Sequence, residues 1–402
     1  MINDIKRLLR FLPLSIIILS CTEQNSQVSN GIRIPGEFEP QEAIWLGYRS
    51  VREEGYFENE TYKILSAISP TIEVNLIVEG DSLIPEGKMK LQNMGFDTSK
   101  INLIIQEPTD AWYRDNGPIF GIKAEQALFV AGFQNKYERL TPNRKAVADH
   151  LGIEYIPSEV VMVGGSFETN GSGTVILCEQ VTLRENQTLT KDKIEKELKE
   201  KFNLQTVIWM KEGVDPLGSF NRIVGNYYGR GTGGHTDEFV RFANDSTILI
   251  SWITEEEAKN HPVDSLLHFR LKSNYNILKK AKDHTGRSFN VIKVPHPDPD
   301  PEPWVADKEK KEFGILPGDS LYWLGARSYM NFVFCNELVL IPAYWEKGKP
   351  EALRSEDDEA LQIFKQVFPN RKIIPIQLNE LKWEGGGMHC RYQSQPKLIS
   401  SN

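Results

Sequence analysis

Four clusters in the chain join residues able to do covalent or proton chemistry with more glycine than packing requires. Nearest the carboxyl end, Glu384-Gly385-Gly386-Gly387-Met388-His389-Cys390-Arg391 sets a thiol behind three glycines. Glycine lets a backbone come close to a bound molecule, and cationic neighbours lower a thiol's pKa, so this loop predicts a reactive thiolate at Cys390. Mid-chain, Gly231-Thr232-Gly233-Gly234-His235-Thr236-Asp237-Glu238 spaces His235 and Asp237 two apart, on one face of an extended backbone. A third cluster, Trp112-Tyr113-Arg114-Asp115-Asn116-Gly117-Pro118, reads as a turn, in which Arg-Asp is equally an ordinary ion pair. The fourth, Gly164-Gly165-Ser166-Phe167-Glu168-Thr169-Asn170-Gly171, is by itself only a strand-to-turn loop. A thiolate attacks an electrophilic carbon, an imidazole moves protons, and carboxylates grip a planar cation through paired charge-assisted hydrogen bonds. This combination suits a guanidinium carbon as the electrophile.

The elements that must position these clusters alternate short β-rich runs with amphipathic helices. Strands are expected at Ile72–Val78, Ile101–Gln106, Ala127–Ala131, Val160–Val163, Thr174–Leu177, Thr206–Met210, Ser246–Trp252, Asn290–Val294, Tyr329–Cys335, Leu338–Ile341 and Lys372–Ile376. Helices are expected at Glu60–Ile68, Arg144–Leu151, Lys191–Phe202, Val263–Lys282 and Glu356–Phe368. In Lys191–Phe202, Ile194, Leu198 and Phe202 form one apolar stripe on an otherwise charged helix. Many strands followed by glycine-rich turns fit an α/β architecture of repeated small sheets better than one long parallel sheet. Pro295-His296-Pro297-Asp298-Pro299-Asp300-Pro301-Glu302-Pro303 removes a backbone donor at every second residue, predicting an extended, unpaired loop within one domain, bordering the site.

Lys6, Arg7 and Arg10 precede an apolar run from Phe11 to Leu19, about the length of a secretory core and too short to span a bilayer as a helix. The run ends Leu19-Ser20-Cys21, resembling a bacterial lipoprotein signal in which Cys21 is lipidated. The expected organisation is a signal at 1–20, a polar tether at 21–31 and one catalytic domain at 32–402, exported and held to an envelope membrane only by that lipid. Of four cysteines, Cys21 would carry lipid, leaving an odd number and so at least one free thiol. Cys178 and Cys335 sit in apolar runs, where cysteine behaves as a small hydrophobe. The 402 residues carry 47 basic and 55 acidic side chains, a net charge of −8, which offers no global basic field for nucleic acid.

Trp-x-Arg-Asp-x-Gly-Pro, Gly-Gly-Ser, Gly-His-x-Asp and Gly-Gly-Gly-x-His-Cys, in this order, resemble the agmatine deiminase and bacterial-type peptidylarginine deiminase family of guanidine-modifying enzymes. Pro35-Gly36-Glu37-Phe38-Glu39-Pro40-Gln41-Glu42-Ala43-Ile44-Trp45-Leu46 and Ser328-Tyr329-Met330-Asn331-Phe332 match it too. The resemblance implies a pentein fold, five ββαβ units around a pseudo-fivefold axis, with the site at the centre. It implies Cys390 as nucleophile, His235 as general acid and base, Asp115 and Asp237 as guanidinium-binding carboxylates, and Asn331 as a polar member of the site. It requires no metal or organic cofactor. The substrate is a small-molecule or peptide guanidine, peptidyl-arginine or agmatine, hydrolysed to a ureido group and ammonia. The candidate substrate-binding set is Trp112, Arg114, Asn331, Glu168, Lys136 and Arg139.

The departures from the family pattern bear on chemistry. Related arginine-processing enzymes carry an acid before the Gly-Gly pair, where this chain has Val163. Glu168 stands where the agmatine enzymes tend to have His. Lys136 and Arg139 replace an Asn-x-Trp-Gly stretch, and could bind the carboxylate of a C-terminal arginine; they are equally plain solvated charges. Two other classes remain in view. A zinc enzyme would use His235, Asp237, His389 and Cys390 as ligands, and a non-catalytic surface protein would only capture arginine-like ligands. An amidinotransferase, requiring an amine acceptor, is the nearest chemical relative.

Overall fold

The computed structural model describes residues 31–48, 56–78, 80, 83–107, 111–137, 140, 142–215 and 217–398. The signal at 1–20, Cys21, most of the tether and Arg139 lie outside the described residues. No helix among the described residues is long and apolar enough to cross a membrane.

Among the described residues one unit occurs five times: a strand, an antiparallel partner, a helix, and a third strand parallel to the second. In chain order, four units are Ile119–Lys123, Ala127–Gln134 and Glu154–Val161; Glu168–Thr169, Thr174–Cys178 and Thr206–Met210; Val240–Phe242, Thr247–Trp252 and Asn290–Pro295; and Val333–Cys335, Leu338–Ala343 and Lys372–Gln377. Their crossover helices are Pro142–Leu151, Lys191–Phe202, Pro262–Leu278 and Glu351–Val367. Both ends of the chain build the fifth unit. Tyr392–Pro396 pairs antiparallel with Gln41–Gly47, which pairs through the helix Tyr56–Ile68 with Glu73–Val78, and Ile101–Ile105 extends the sheet. This is the repeated ββαβ architecture that the resemblance implies.

Local chemistry explains the elements. Lys191–Phe202 starts where Thr190 accepts a hydrogen bond from the Lys193 N–H and stops where Asn203 turns left-handed at φ 56°. Its stripe of Ile194, Leu198 and Phe202 is buried against Phe129 and Phe133. The second strands are nearly continuous apolar runs because helices and neighbouring units cover both faces.

The ring of units closes through hydrogen bonds between the short turns that precede each first strand. The Gly165 N–H donates to Asp115 Oδ1 at 3.1 Å, Thr236 Oγ1 to the Gly165 carbonyl at 3.0 Å, and Asn331 Nδ2 to Glu238 Oε1 at 2.9 Å. The His389 N–H then donates to Asn331 Oδ1 at 2.8 Å, and Arg114 Nη1 to Gln393 Oε1 at 2.8 Å, returning to the first turn. Topologically equivalent turns thus meet each other, and the chemistry-bearing clusters lie on them.

Some expectations need correction. Tyr329–Cys335 is a strand only over Val333–Cys335. Ser328 Oγ accepts from the Met330 N–H at 2.9 Å, and this local bond folds the preceding residues into a turn. The strand expected at Val160–Val163 runs instead over Glu154–Val161, Pro157 being tolerated because the strand is at a sheet edge. The proline–acid stretch is not wholly unpaired: Pro295 ends one strand, and Glu302–Val305 begins another. That second strand belongs to a sheet outside the repeat, with Leu217–Val224, Tyr227–Thr232 and Ser320–Leu324, packed on Phe220, Tyr228, Trp304 and Trp323.

Candidate active site

The sulfur of Cys390 lies buried in the turn His389–Arg391. Asn331 Nδ2 donates to it at 3.1 Å and the Gly387 N–H at 3.5 Å. Glu238 Oε1 stands 3.4 Å away and Asp237 Oδ2 3.9 Å. A methyl group on Gly386 would sit 2.8 Å from the Trp112 ring and 3.1 Å from the sulfur, so glycine there lets the indole come up beside the thiol.

Gly165 serves the second half of the site in the same way. A methyl at that position would lie 2.5 Å from His235 Nδ1, 3.0 Å from Asp115 Oδ1 and 3.2 Å from Asp237 Oδ1. Three groups from the turns of two units therefore converge on the bare Cα of a third. His235 Nδ1 and Asp115 Oδ1 are 3.6 Å apart, and among the described residues both buried His235 ring nitrogens and Asp237 Oδ1 find no hydrogen-bond partner. Such atoms cost about 1–3 kcal/mol each when desolvated, and a planar cation with N–H groups on its rim would satisfy the acceptors.

Scaffolding holds these groups from behind. Asp215 accepts from the Thr232 N–H, from Thr232 Oγ1 at 2.7 Å and from the Gly234 N–H at 3.3 Å, fixing the turn into His235. Arg144, fully buried, donates to the backbone carbonyls of Asp115, Gly117, Phe133 and Met162, and burial pushes its pKa down to about 10. Beneath the catalytic turns lies an ion network. Glu37 accepts from Arg114, from Arg241 Nη2 at 2.7 Å and from His389 Nε2 at 2.9 Å, while His389 Nδ1 meets Asp237 Oδ2 at 2.7 Å. The His389 ring is thus held between two carboxyl groups. Burial works against the charge on Glu37, but Arg114, His389 and Arg241 hold its carboxyl well below the usual range.

The structure brings together Cys390, His235, Asp115, Asp237, Asn331 and Trp112. It directs two candidate substrate-binding residues elsewhere. Glu168 accepts from Arg241 Nε at 2.8 Å and from the Phe242 N–H at 2.9 Å, and Arg114 is engaged by Glu37, Gln393 and the Phe167 carbonyl. Both belong to the buried network, which their charges require for pairing. Lys136 Nζ lies 5.1 Å from the Tyr137 ring centroid.

Three further expectations change. His235 and Asp237 do not share a face of an extended strand: Thr236–Glu238 is a 3-10 turn, and that turn aims both at Gly165. The Cys390 thiol is not lowered by its cationic neighbours, because His389 faces Glu37 and Asp237, and Arg391 donates to the Gly47 carbonyl at 2.7 Å. Burial, then Asp237, Glu238 and Asp115, push the thiol well above its ordinary value. The four-residue zinc set is not assembled; among the described residues the ligand atoms lying within 4.8 Å of one another belong to Asp237, Glu238 and Cys390.

Sequence reasoning missed Glu37, Glu238, Arg241 and Arg144, and weighed His389 only as a zinc ligand or a cation beside the thiol. Two signals were present: an acid bracketed by Pro35 and Pro40, and a second acid directly after Asp237.

The chain matches the family model of the Porphyromonas-type peptidyl-arginine deiminases over residues 33–396. Among curated proteins it is similar to the agmatine deiminase of Medicago truncatula, 24% identical across 93% of this chain and 99% of that one. Among solved structures it is similar to the agmatine deiminase of Enterococcus faecalis, with a TM-score of 0.72 and 24% identity, covering 92% of this chain and 97% of that chain. It is also similar to the C. jejuni agmatine deiminase with substrate bound, with a TM-score of 0.66 and 22% identity over 92% and 97% of the two chains.

Proposed function

Because this chain belongs to the Porphyromonas-type peptidyl-arginine deiminase family, we infer that it is a hydrolase of guanidino C–N bonds, with Cys390 as its nucleophile. The observation that carries this is the convergence of Asp115, Asp237 and His235 on Gly165, beside a buried thiol. In this reading a guanidinium enters between Asp115 and Asp237, whose unfilled acceptors bind its N–H groups and hold the carbon over sulfur. Its positive charge offsets the carboxylates that suppress the thiolate in the free enzyme, so the nucleophile is released when substrate is in place. His235 protonates the departing nitrogen and then takes a proton from the water that cleaves the thiouronium intermediate. A ureido product and ammonia result.

Agmatine is the substrate to test first. The curated and solved relatives above carry that activity in their names, and the pocket beside Glu238, lined by Asp215 and Asp264 together with Arg230 and Arg327, gives a second cation carboxylates to face. Peptidyl-arginine is the second reading, favoured by the lipoprotein-like signal, since a surface-held enzyme meets peptides. The purified chain should release ammonia and ureido product from agmatine, with Cys390→Ser losing at least about 10³-fold in turnover. Hydrolysis of arginine peptides alone would reverse the order of the two readings, and full activity in Cys390→Ser would remove the nucleophile.

We further propose that Cys21 carries the lipid that holds the enzyme at the cell envelope. Labelled palmitate should enter the wild-type chain and not Cys21→Ala; equal labelling of both would reject the anchor.

A further inference from the structure

The thiol proton of Cys390 must go somewhere when sulfur attacks, and the surroundings of the sulfur narrow the choice. Of the four groups described around it, Asn331 Nδ2 and the Gly387 N–H are donors, leaving two acceptors: Glu238 Oε1 at 3.4 Å and Asp237 Oδ2 at 3.9 Å. His235, the residue expected to move protons, has no hydrogen bond to the sulfur among the described residues. Asp237 Oδ2 is already bound by His389 Nδ1 at 2.7 Å, which stabilises its ionised form and makes it a weak base. Glu238 differs: its Oε1 lies nearer the sulfur, at 3.4 Å against 3.9 Å, and the donor it accepts from is the neutral Asn331 amide at the longer distance of 2.9 Å.

We propose that Glu238 is a catalytic residue, the carboxylate that takes the proton from Cys390 as sulfur attacks the guanidinium carbon. The proposal rests on the deiminase reading and adds a group to it.

The step balances. The S–H bond breaks and an O–H bond forms on Glu238; the sulfur lone pair makes the S–C bond, and one C–N π pair moves onto nitrogen. His235 in its protonated form delivers a proton to the leaving nitrogen, the C–N bond breaks and ammonia departs. Water then adds to carbon, giving a proton to His235, and the C–S bond breaks. Glu238 returns its proton to the sulfur, and the product's remaining hydroxyl proton leaves with ammonia as ammonium. Burial, then Asp237 and Asp215, hold the Glu238 carboxyl well above its usual range, so its carboxylate is a stronger base toward the thiol than an exposed one.

The test combines two measurements on Glu238→Gln. Deiminase kinetics should show kcat falling about 100-fold with KM changed less than about 3-fold. Alkylation of Cys390 by iodoacetamide, followed across pH by peptide mapping, should show its midpoint moving to lower pH, because a negative neighbour has been removed. More thiolate with slower turnover is the signature of a lost base; a carboxylate that only burdened the thiol electrostatically would leave a faster enzyme. Unchanged or increased kcat overturns the proposal, as does a raised KM at unchanged kcat, which would make Glu238 a grip on the cation. An unmoved alkylation midpoint overturns it too. That arm needs no substrate, so it still decides if the wild type hydrolyses no guanidine and the deiminase reading itself fails. Should Glu238→Gln not fold, Glu238→Asp must retain the acid limb of the pH–rate profile with reduced kcat, and wild-type kcat in that variant counts against the proposal.

Discussion

Two buried polar clusters lie one above the other in this protein, and they are built on opposite rules. In the lower one, Glu37 joins Arg114, Arg241 and His389, Arg241 continues to Glu168, and each carboxylate meets at least two donors. In the upper one, both His235 nitrogens and Asp237 Oδ1 have no hydrogen-bond partner among the described residues, and Asp115 Oδ1 holds one backbone N–H. Every oxygen of Glu37 and Glu168 is met by a donor, and Arg114 Nε is left without a partner among the described residues. A network whose acceptors are filled stabilises one arrangement and offers a cation no acceptor. An unsaturated one is destabilising until a ligand completes it. The lower cluster therefore positions, and the upper one binds.

Removing one member from each cluster should separate these roles. Glu37→Ala leaves Arg114, Arg241 and His389 short of a buried counter-charge, so it should lower stability by about 3–5 kcal/mol in urea unfolding. Asp115→Asn, which can still accept from the Gly165 N–H, should change stability by less than about 1 kcal/mol while lowering turnover about 100-fold or more. Similar unfolding losses in the two variants would erase the distinction. Acid sharpens it further. The folded Glu37 carboxyl lies below its unfolded value, so its contribution is complete above about pH 4.3 and is lost as pH falls through the lower folded value. Wild type should consequently show a steeper acid loss than Glu37→Ala.

The upper cluster was legible in the sequence and the lower one largely was not. Cys390, His235, Asp115 and Asp237 sit in glycine-rich turns whose composition packing does not explain, and close approach at Gly165 and Gly386 is what those glycines allow. Glu37 lies more than 350 residues from His389 in sequence, and nothing local signals that ring closure brings the two ends of the chain together. Arg144 looked like one more charge on a helix, yet it is fully buried against the four carbonyls of Asp115, Gly117, Phe133 and Met162. The helix Lys191–Phe202 was legible to the residue because its stripe and cap are local. Short first strands such as Val240–Phe242 were missed because three residues carry no period, and Arg241 in that strand points into the ion network.

A third group lies between the two extremes and gives the mildest contrast. Asp264, in the first turn of Pro262–Leu278, lines the open cavity next to Glu238. Burial, then Asp298 and Glu257, push its carboxyl up to about 7, with Arg327 opposing. The unfolded value is about 3.9, so the folded chain binds the proton more tightly. Stability from this group is present at low pH and is lost as pH rises toward about 7. Asparagine removes the titration, so Asp264→Asn should be more resistant to urea than wild type at pH 8 and nearly equal to it at pH 4. Glu356, also raised to about 7, and His296, pushed down to about 3 by burial, remain in both proteins, so only the difference between the two curves is informative. A variant weaker than wild type at pH 8 would mean that Asp264 serves Arg327 as a charged partner, placing it with the saturated cluster rather than between the two.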